Sequence, residues 1–250
     1  MKYAIITGAS RGLGASAAQH MLAEGIHVIS VSRKENSSLK QAAEKAGAGY
    51  THHSCDLSSD VQFQSVLTAI ASDIFKNAET VYVINNAGVI EPIEVAGELD
   101  ASLVQTNVQV NLTAPILISN LFLQKAKETG TRVIITNVTS GAAERPIQGW
   151  SIYCSTKAAV NMFTMTAGLE LESNGSSSKV IAFSPGIMDT DMQVTIRSSS
   201  EESFADVNTF RNYKESGSLR SPDTVAGALV KLVLAENLEN GKIYKVNDLL

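Results

Sequence analysis

A short apolar run at 3–7 (Tyr-Ala-Ile-Ile-Thr) passes directly into the turn Gly8-Ala-Ser-Arg-Gly12-Leu-Gly14. The turn passes into a helical pattern of Ala15, Ala18, Met21 and Leu22. Strand, glycine turn and helix in that order restrict the chain to folds that open on a βα unit. Glycine lets the backbone turn tightly and approach a pyrophosphate, and the helix N-terminus offers free N–H groups and the positive end of a dipole. The expected ligand is a dinucleotide. The spacing is G-x-x-x-G-x-G, not the best-known G-x-G-x-x-G, so its weight comes from its place right after a strand.

The rest of the chain continues the rhythm. Strand-like runs recur at 26–31, 50–55, 81–84, 132–138, 179–183 and 242–246, with helix-like stretches at 13–24, 36–47, 61–75, 99–127, 152–173 and 223–235. Such alternation predicts an α/β, Rossmann-type doubly wound parallel sheet of about seven strands, helices on both faces, in one domain over 1–250. Crossovers should be right-handed, and ligands should bind beyond the carboxyl ends of the strands. The 250 residues, 44% of them hydrophobic, suffice for one large core. A surface loop is expected at 173–178. The pattern weakens over 186–221, too long for a simple connection, and a lid with short helices is expected there. Met192, Val194, Ile196, Phe204 and Phe210 would anchor it.

Several classes are disfavoured. The net charge is −5 and no basic cluster appears, which argues against nucleic acid. No apolar stretch approaches the ~20 residues of a membrane span. The apolar run after Lys2 is too short for a secretory leader. Two cysteines, Cys55 and Cys154, cannot build a disulfide framework, and a cytoplasmic location is expected. His52, His53 and Cys55 fall on a strand pattern with no second ligand cluster, so no metal is expected.

The chemistry centres on Tyr153 and Lys157, four residues apart on a helix and so on one face, with Ser140 thirteen positions upstream of the tyrosine. A nearby ammonium favours the phenolate and is expected to bring the tyrosine down toward neutral pH. Ser140 should hold a substrate oxygen by hydrogen bond. Pro115 lies four residues after Asn111 in a long helix pattern. Proline has no N–H, so the carbonyl of residue 111 loses its helical partner and can hold a water, with a kink the simpler consequence. The second strand ends Val31-Ser32-Arg33 with no acid in place. An arginine there suits a 2′-phosphate, and Arg11 adds a second cation, so NADP(H) is the expected cofactor. Trp150 is placed on the pocket wall against a planar substrate, or else in the core. Cys154 points about 100° away from Tyr153 on a helix and is read as packing.

These residues resemble the short-chain dehydrogenase/reductase family along nearly the whole chain. The resemblance rests on Gly8, Ser10, Arg11, Gly12, Leu13 and Gly14, on Asn85-Asn86-Ala87-Gly88, on Asn111, Ser140, Tyr153 and Lys157, and on Pro185, Gly186, Ile187 and Thr190. It implies a catalytic tetrad of Asn111, Ser140, Tyr153 and Lys157, with Lys157 also gripping the nicotinamide ribose. It implies cofactor contacts from the two glycine segments, from Asp56 and Leu57 at the adenine, and from 185–190 at the nicotinamide. A narrower likeness, through Gly149-Trp150, Tyr153-Cys154 and Asp189-Thr-Asp-Met-Gln193, is to sepiapterin reductases and bacterial benzil reductases, which reduce vicinal dicarbonyls with NADPH. It places Met188 and Met192 with Ser140, Trp150 and Tyr153 at the substrate. Sepiapterin reductases carry an acidic pterin anchor in the last strand, where this chain has Lys245, with Asp248 slightly later. The implied activity is therefore reduction of a benzil-type diketone to a hydroxyketone. Pterin side-chain reduction, 3-oxoacyl reduction and a non-catalytic dinucleotide sensor stand as alternatives. A homodimer through 99–127 and 152–173 is also implied.

Overall fold

The computed structural model describes residues 1–59 and 62–250 in full. Among the described residues, the strands form one seven-stranded parallel sheet in the order β3-β2-β1-β4-β5-β6-β7. They are β1 (Lys2–Thr7), β2 (His27–Ser32), β3 (Tyr50–Ser54), β4 (Thr80–Asn85), β5 (Arg132–Val138), β6 (Lys179–Ser184) and β7 (Ile243–Lys245). The order reverses between β1 and β4, which pair in register from Lys2 opposite Thr80 to Ile6 opposite Ile84. Strands diverge to either side of that point, and the crevice above it is where such sheets bind ligands.

Helices α1 (Gly12–Ala23), α2 (Ser37–Ala46) and α9 (Pro222–Val233) cover one face. Helices α3 (Asp60–Ile74), α5 (Ala114–Thr129) and α6 (Ser151–Ser173) cover the other. The strands alternate between them: Ala4 and Ile6 pack with Met21, Leu22 and Leu229, while Tyr3 and Ile5 pack with Phe63, Leu67 and Phe122. Helix ends follow local chemistry. Asp100 caps α4 (Ala101–Val108) by accepting from Ser102 N and Leu103 N at 2.8 and 2.9 Å. Ser221 caps α9, whose first residue, Pro222, needs no N–H partner there.

The stretch read as one helix over 99–127 is α4 and α5 joined by a π-helical segment, Gln109–Thr113. Pro115 cannot donate at the i+4 position of Asn111, and the chain accommodates it by widening. The last strand is shorter than 242–246, because the backbone turns into a 3-10 helix at Val246–Asp248.

Within 186–221 lie α7 (Asp191–Arg197) and α8 (Val207–Glu215). Ile196, Phe204 and Val207 are buried with Ile90, Ala142, Trp150 and Tyr153 in a third, smaller cluster, and Met192 and Phe210 pack on its edge. Val194 does not join them: it is 56% exposed and lines the cleft instead. No described helix is long and apolar enough to cross a membrane.

Candidate active site

A cleft of about 1800 Å³ runs along the carboxyl ends of the strands. One end is the glycine turn. Gly8 and Gly12 have φ of +68° and +57°, a left-handed backbone that favours glycine. A Cβ on Gly8 would stand 2.9 Å from Ala87 Cα, and one on Gly14 would run into Asn86 Nδ2 and the Gly8 carbonyl. Asn86 Nδ2 donates to the carbonyls of Thr7 and Gly8 at 2.9 and 3.2 Å. The Thr7 hydroxyl in turn accepts from the N–H groups of Asn86 and Ala87, each at 3.0 Å. The turn after β1 is thus welded to the turn after β4. No side chain caps α1, so its first N–H groups are left for an anion. A bare backbone cradle at a helix N-terminus fits the pyrophosphate of a dinucleotide.

Ser10, Arg11 and Leu13 line the cleft beside Gly8 and Gly12, as do Ser32, Arg33, Asp56, Leu57, Asn86, Ala87 and Gly88. Pro185, Gly186, Ile187 and Thr190 line its far side. Gly14 does not line it and instead packs beneath the turn. The Arg11 guanidinium pairs with the Asp191 carboxylate of α7 at 2.6 Å, across the cleft mouth. The Ser32 hydroxyl donates to the Lys34 carbonyl at 2.9 Å, and Lys34 lines the cleft too. That cation went unnoticed in the sequence, although it directly follows Arg33. The Asp56 carboxyl is held below its ordinary range, chiefly by hydrogen bonds from Ser58 and also by the nearby Arg33.

The other end of the cleft holds Tyr153 and Lys157, both buried on α6, and Ser140, two residues beyond β5. Lys157 Nζ donates to the Val138 carbonyl at 2.9 Å and lies 5.7 Å from the centre of the Tyr153 ring. The expected pull of Lys157 on the phenol is not what this geometry delivers. Burial pushes Tyr153 up to about 12, a hydrogen bond with Ser140 opposing it, and burial brings Lys157 down to about 8. In a dry site each charged form loses its hydration, and that loss is the largest influence on both groups. At neutral pH the pair is a phenol O–H and an ammonium.

Asn111 does not face the cleft. Its Nδ2 donates to Val89 O and Asn107 Oδ1 at 2.7 and 2.8 Å, and its Oδ1 accepts from Val89 N at 2.8 Å. The side chain is fully engaged in bracing the loop after β4, next to Gly88, where an added Cβ would lie 3.7 Å from Lys157 Nζ. Asn107, missed in the sequence, joins this brace and also accepts from the Thr156 hydroxyl at 3.2 Å.

Trp150 does line the cleft, with Met188 and Met192. Its ring is stacked on Phe204, and it meets Tyr153 and Phe210 edge-on with centroids 5.6 and 5.4 Å away. Cys154 is half-buried against this cluster, its thiol raised by burial. Lys245 is ion-paired with Glu144 at 2.8 Å.

The short chain dehydrogenase family model matches residues 2–201. The chain belongs to that family. Members bind a nicotinamide dinucleotide, and the bare glycine cradle is where this chain fits one. Among similar proteins, a benzil reductase ((S)-benzoin forming) of Bacillus subtilis (strain 168) is 43% identical over the full length of both chains. A sepiapterin reductase of Bos taurus is 28% identical, covering 95% of this chain and 91% of its own. A solved short-chain dehydrogenase/reductase of Saccharomyces cerevisiae superposes with a TM-score of 0.82 at 30% identity, covering 99% of this chain and 97% of its own. The identity to the Bacillus subtilis benzil reductase thus exceeds that to the Bos taurus sepiapterin reductase, in line with the order inferred from Lys245.

Proposed function

We propose that this chain is an NADPH-dependent carbonyl reductase acting on vicinal diketones of the benzil type, giving a hydroxyketone. The observation that carries it is the meeting of Tyr153, Lys157 and Ser140 with an aromatic wall inside the cleft that holds the glycine cradle. The full-length likeness to a benzil reductase supports the substrate class.

The bound cofactor supplies the hydride. The chain supplies the proton and holds the oxygen. A phenol pushed up to about 12 keeps its proton throughout the physiological range, which suits a donor in the reductive direction. Ser140 holds the same carbonyl oxygen and stabilises its developing charge. The Lys157 ammonium is anchored on Val138; in this reading it would face the nicotinamide ribose, and a water held on the Asn111 carbonyl would link it to solvent. Arg33 and Lys34 favour a 2′-phosphate, as would Arg11 once released from Asp191, and no acid ends β2 to bind a free ribose hydroxyl. The pterin alternative is weakened because Lys245, tied to Glu144, stands where an acidic anchor would be.

The same proposal extends to the lid, the compartment and the assembly. The 186–221 segment acts as a lid through α7 and α8. The enzyme works in the cytoplasm, consistent with two free cysteines. It is a homodimer through the helical stretch 99–127 and α6, and on α6 Met162, Met165 and Leu169 form an exposed apolar stripe.

The test is NADPH oxidation with benzil by the wild type and by Tyr153→Phe. The wild type should consume benzil, and the variant should bind NADPH but turn over at least about 1,000-fold more slowly. Undiminished benzil consumption by the variant would overturn the mechanism.

A further inference from the structure

The aromatic rings of the substrate end form an ordered series. Trp150 meets Tyr153 edge-on, Phe210 meets Trp150 edge-on at 5.4 Å, and Tyr213 meets Phe210 edge-on at 5.7 Å. Phe204, fully buried, lies behind the wall, flat against Trp150 at 4.8 Å and 7°, and does not reach the cleft. Trp150, Phe210 and Tyr213 do reach it. Starting from the reacting hydroxyl, the wall therefore leads outward from α6 to α8 in steps of one ring.

Phe210 and Tyr213 differ from their neighbours in being only partly buried, although each already has an aromatic partner. They are three residues apart on α8, on the face that carries the fully buried Val207 toward the body. Both rings therefore leave surface open to the cleft. The same cleft is lined by Met188 and Met192, whose flexible thioethers pack well on aromatic rings.

We propose that Phe210 and Tyr213 form the subsite for the aryl group on the non-reacting carbonyl of the substrate. They then determine specificity for diaryl over dialkyl diketones. The assignment rests on the diketone proposal above and deepens it. The carbonyl to be reduced sits at Tyr153 and Ser140, its own substituent lies along Trp150, and the second ring reaches α8. Edge-to-face contact adds to the burial of the ring, and a methyl group in its place gains neither.

The test uses the full chain with NADPH. Phe210→Leu and Tyr213→Leu keep apolar bulk against Trp150 and Phe204 while removing the rings. The first readout is kcat/KM for benzil and for 2,3-butanedione. The double variant should lose about tenfold more on benzil than on butanedione, mainly through KM. The second readout needs no turnover: Trp150 is the single tryptophan of the chain, so its emission reports benzoin binding directly. The dissociation constant for benzoin should rise about tenfold in the double variant. Equal losses on the two diketones, or an unchanged benzoin constant, would overturn the subsite. Variant-sensitive benzoin binding with no turnover of either diketone would sink the reaction but uphold the subsite.

Discussion

Asn111 grips both main-chain polar groups of Val89, accepting from its N–H at 2.8 Å and donating to its carbonyl at 2.7 Å. With its side chain so engaged, what Asn111 can offer to proton movement is its main-chain carbonyl, which Pro115 leaves without a partner at i+4. The π-helical segment over Gln109–Thr113 is the structural consequence of the same proline. Replacing Pro115 with alanine returns an N–H to that position. The variant is expected to be as stable as the wild type or more so, yet to turn over about tenfold more slowly, because the relay loses its acceptor. Thermal unfolding and kcat measured together check this. A fully active variant removes the carbonyl from the mechanism.

Lys157 donates to the Val138 carbonyl from a buried position, and burial brings it down to about 8 from an ordinary lysine value of 10.5. The sign follows by linkage. Between those values the unfolded chain holds the proton and the folded chain has released it, so stability rises with pH across the window. Below pH 8 both states are protonated and the full cost of burying the charge is present. Lys157→Met removes this dependence. In the cofactor-free protein, the stability of the wild type relative to the variant should rise by up to about 3 kcal/mol between pH 8 and 10.5. Urea melts across that range measure it. A flat difference would mean the ammonium is not held dry.

What could be read in the chain, and what could not, divides along a physical line. The β1–α1 unit was legible because an apolar run and glycines at fixed spacing report backbone requirements, and Gly8 and Gly14 are hemmed in by Ala87 and Asn86 as such a turn demands. Contacts between distant segments were less legible. The spacing of Tyr153 and Lys157 established that they share a face, but not that Nζ turns to Val138. Val194 is apolar and so resembles an anchor in the sequence, yet it stays exposed. A helix as short as α7 offers too few turns to reveal which face is inward, and the polar Gln193 is buried instead. Pro115 announced a missing N–H without revealing whether the helix would kink or widen. The stacking of Phe204 on Trp150 had no local signal in either residue.

Cofactor choice can be tested at the end of β2. Ser32 donates to the Lys34 carbonyl, and Arg33 and Lys34 both line the cleft. An aspartate at position 32 would accept from a free ribose 2′-hydroxyl and repel a phosphate, and loss of Arg33 removes a fork of donors for that phosphate. Ser32→Asp with Arg33→Ala should move the ratio of kcat/KM for NADPH over NADH toward NADH by about 100-fold. Steady-state kinetics with both cofactors decide it, and an unchanged ratio would assign the phosphate to other cations.

Gly149 stands at the joint between the body and the 186–221 segment, with φ of +81°. A Cβ there would collide with the Ser203 carbonyl and come within 3.3 Å of Phe204 Cα. The glycine is what allows Phe204 to lie flat on the adjacent Trp150. Gly149→Ala therefore carries two costs, a strained backbone and a displaced ring stack. Gly130 separates them. Its φ is +74°, but nothing lies within 4 Å of an added Cβ, so Gly130→Ala carries only the backbone cost of about 1 kcal/mol. Gly149→Ala should lose about 2–3 kcal/mol, lowering the melting temperature by roughly twice as much as Gly130→Ala. Its KM for benzil should rise while its affinity for NADPH holds, because the stack supports the substrate wall and lies away from the glycine cradle. If the two alanine variants melt together and both keep the wild-type KM, the Phe204–Trp150 stack does not hold the segment in place.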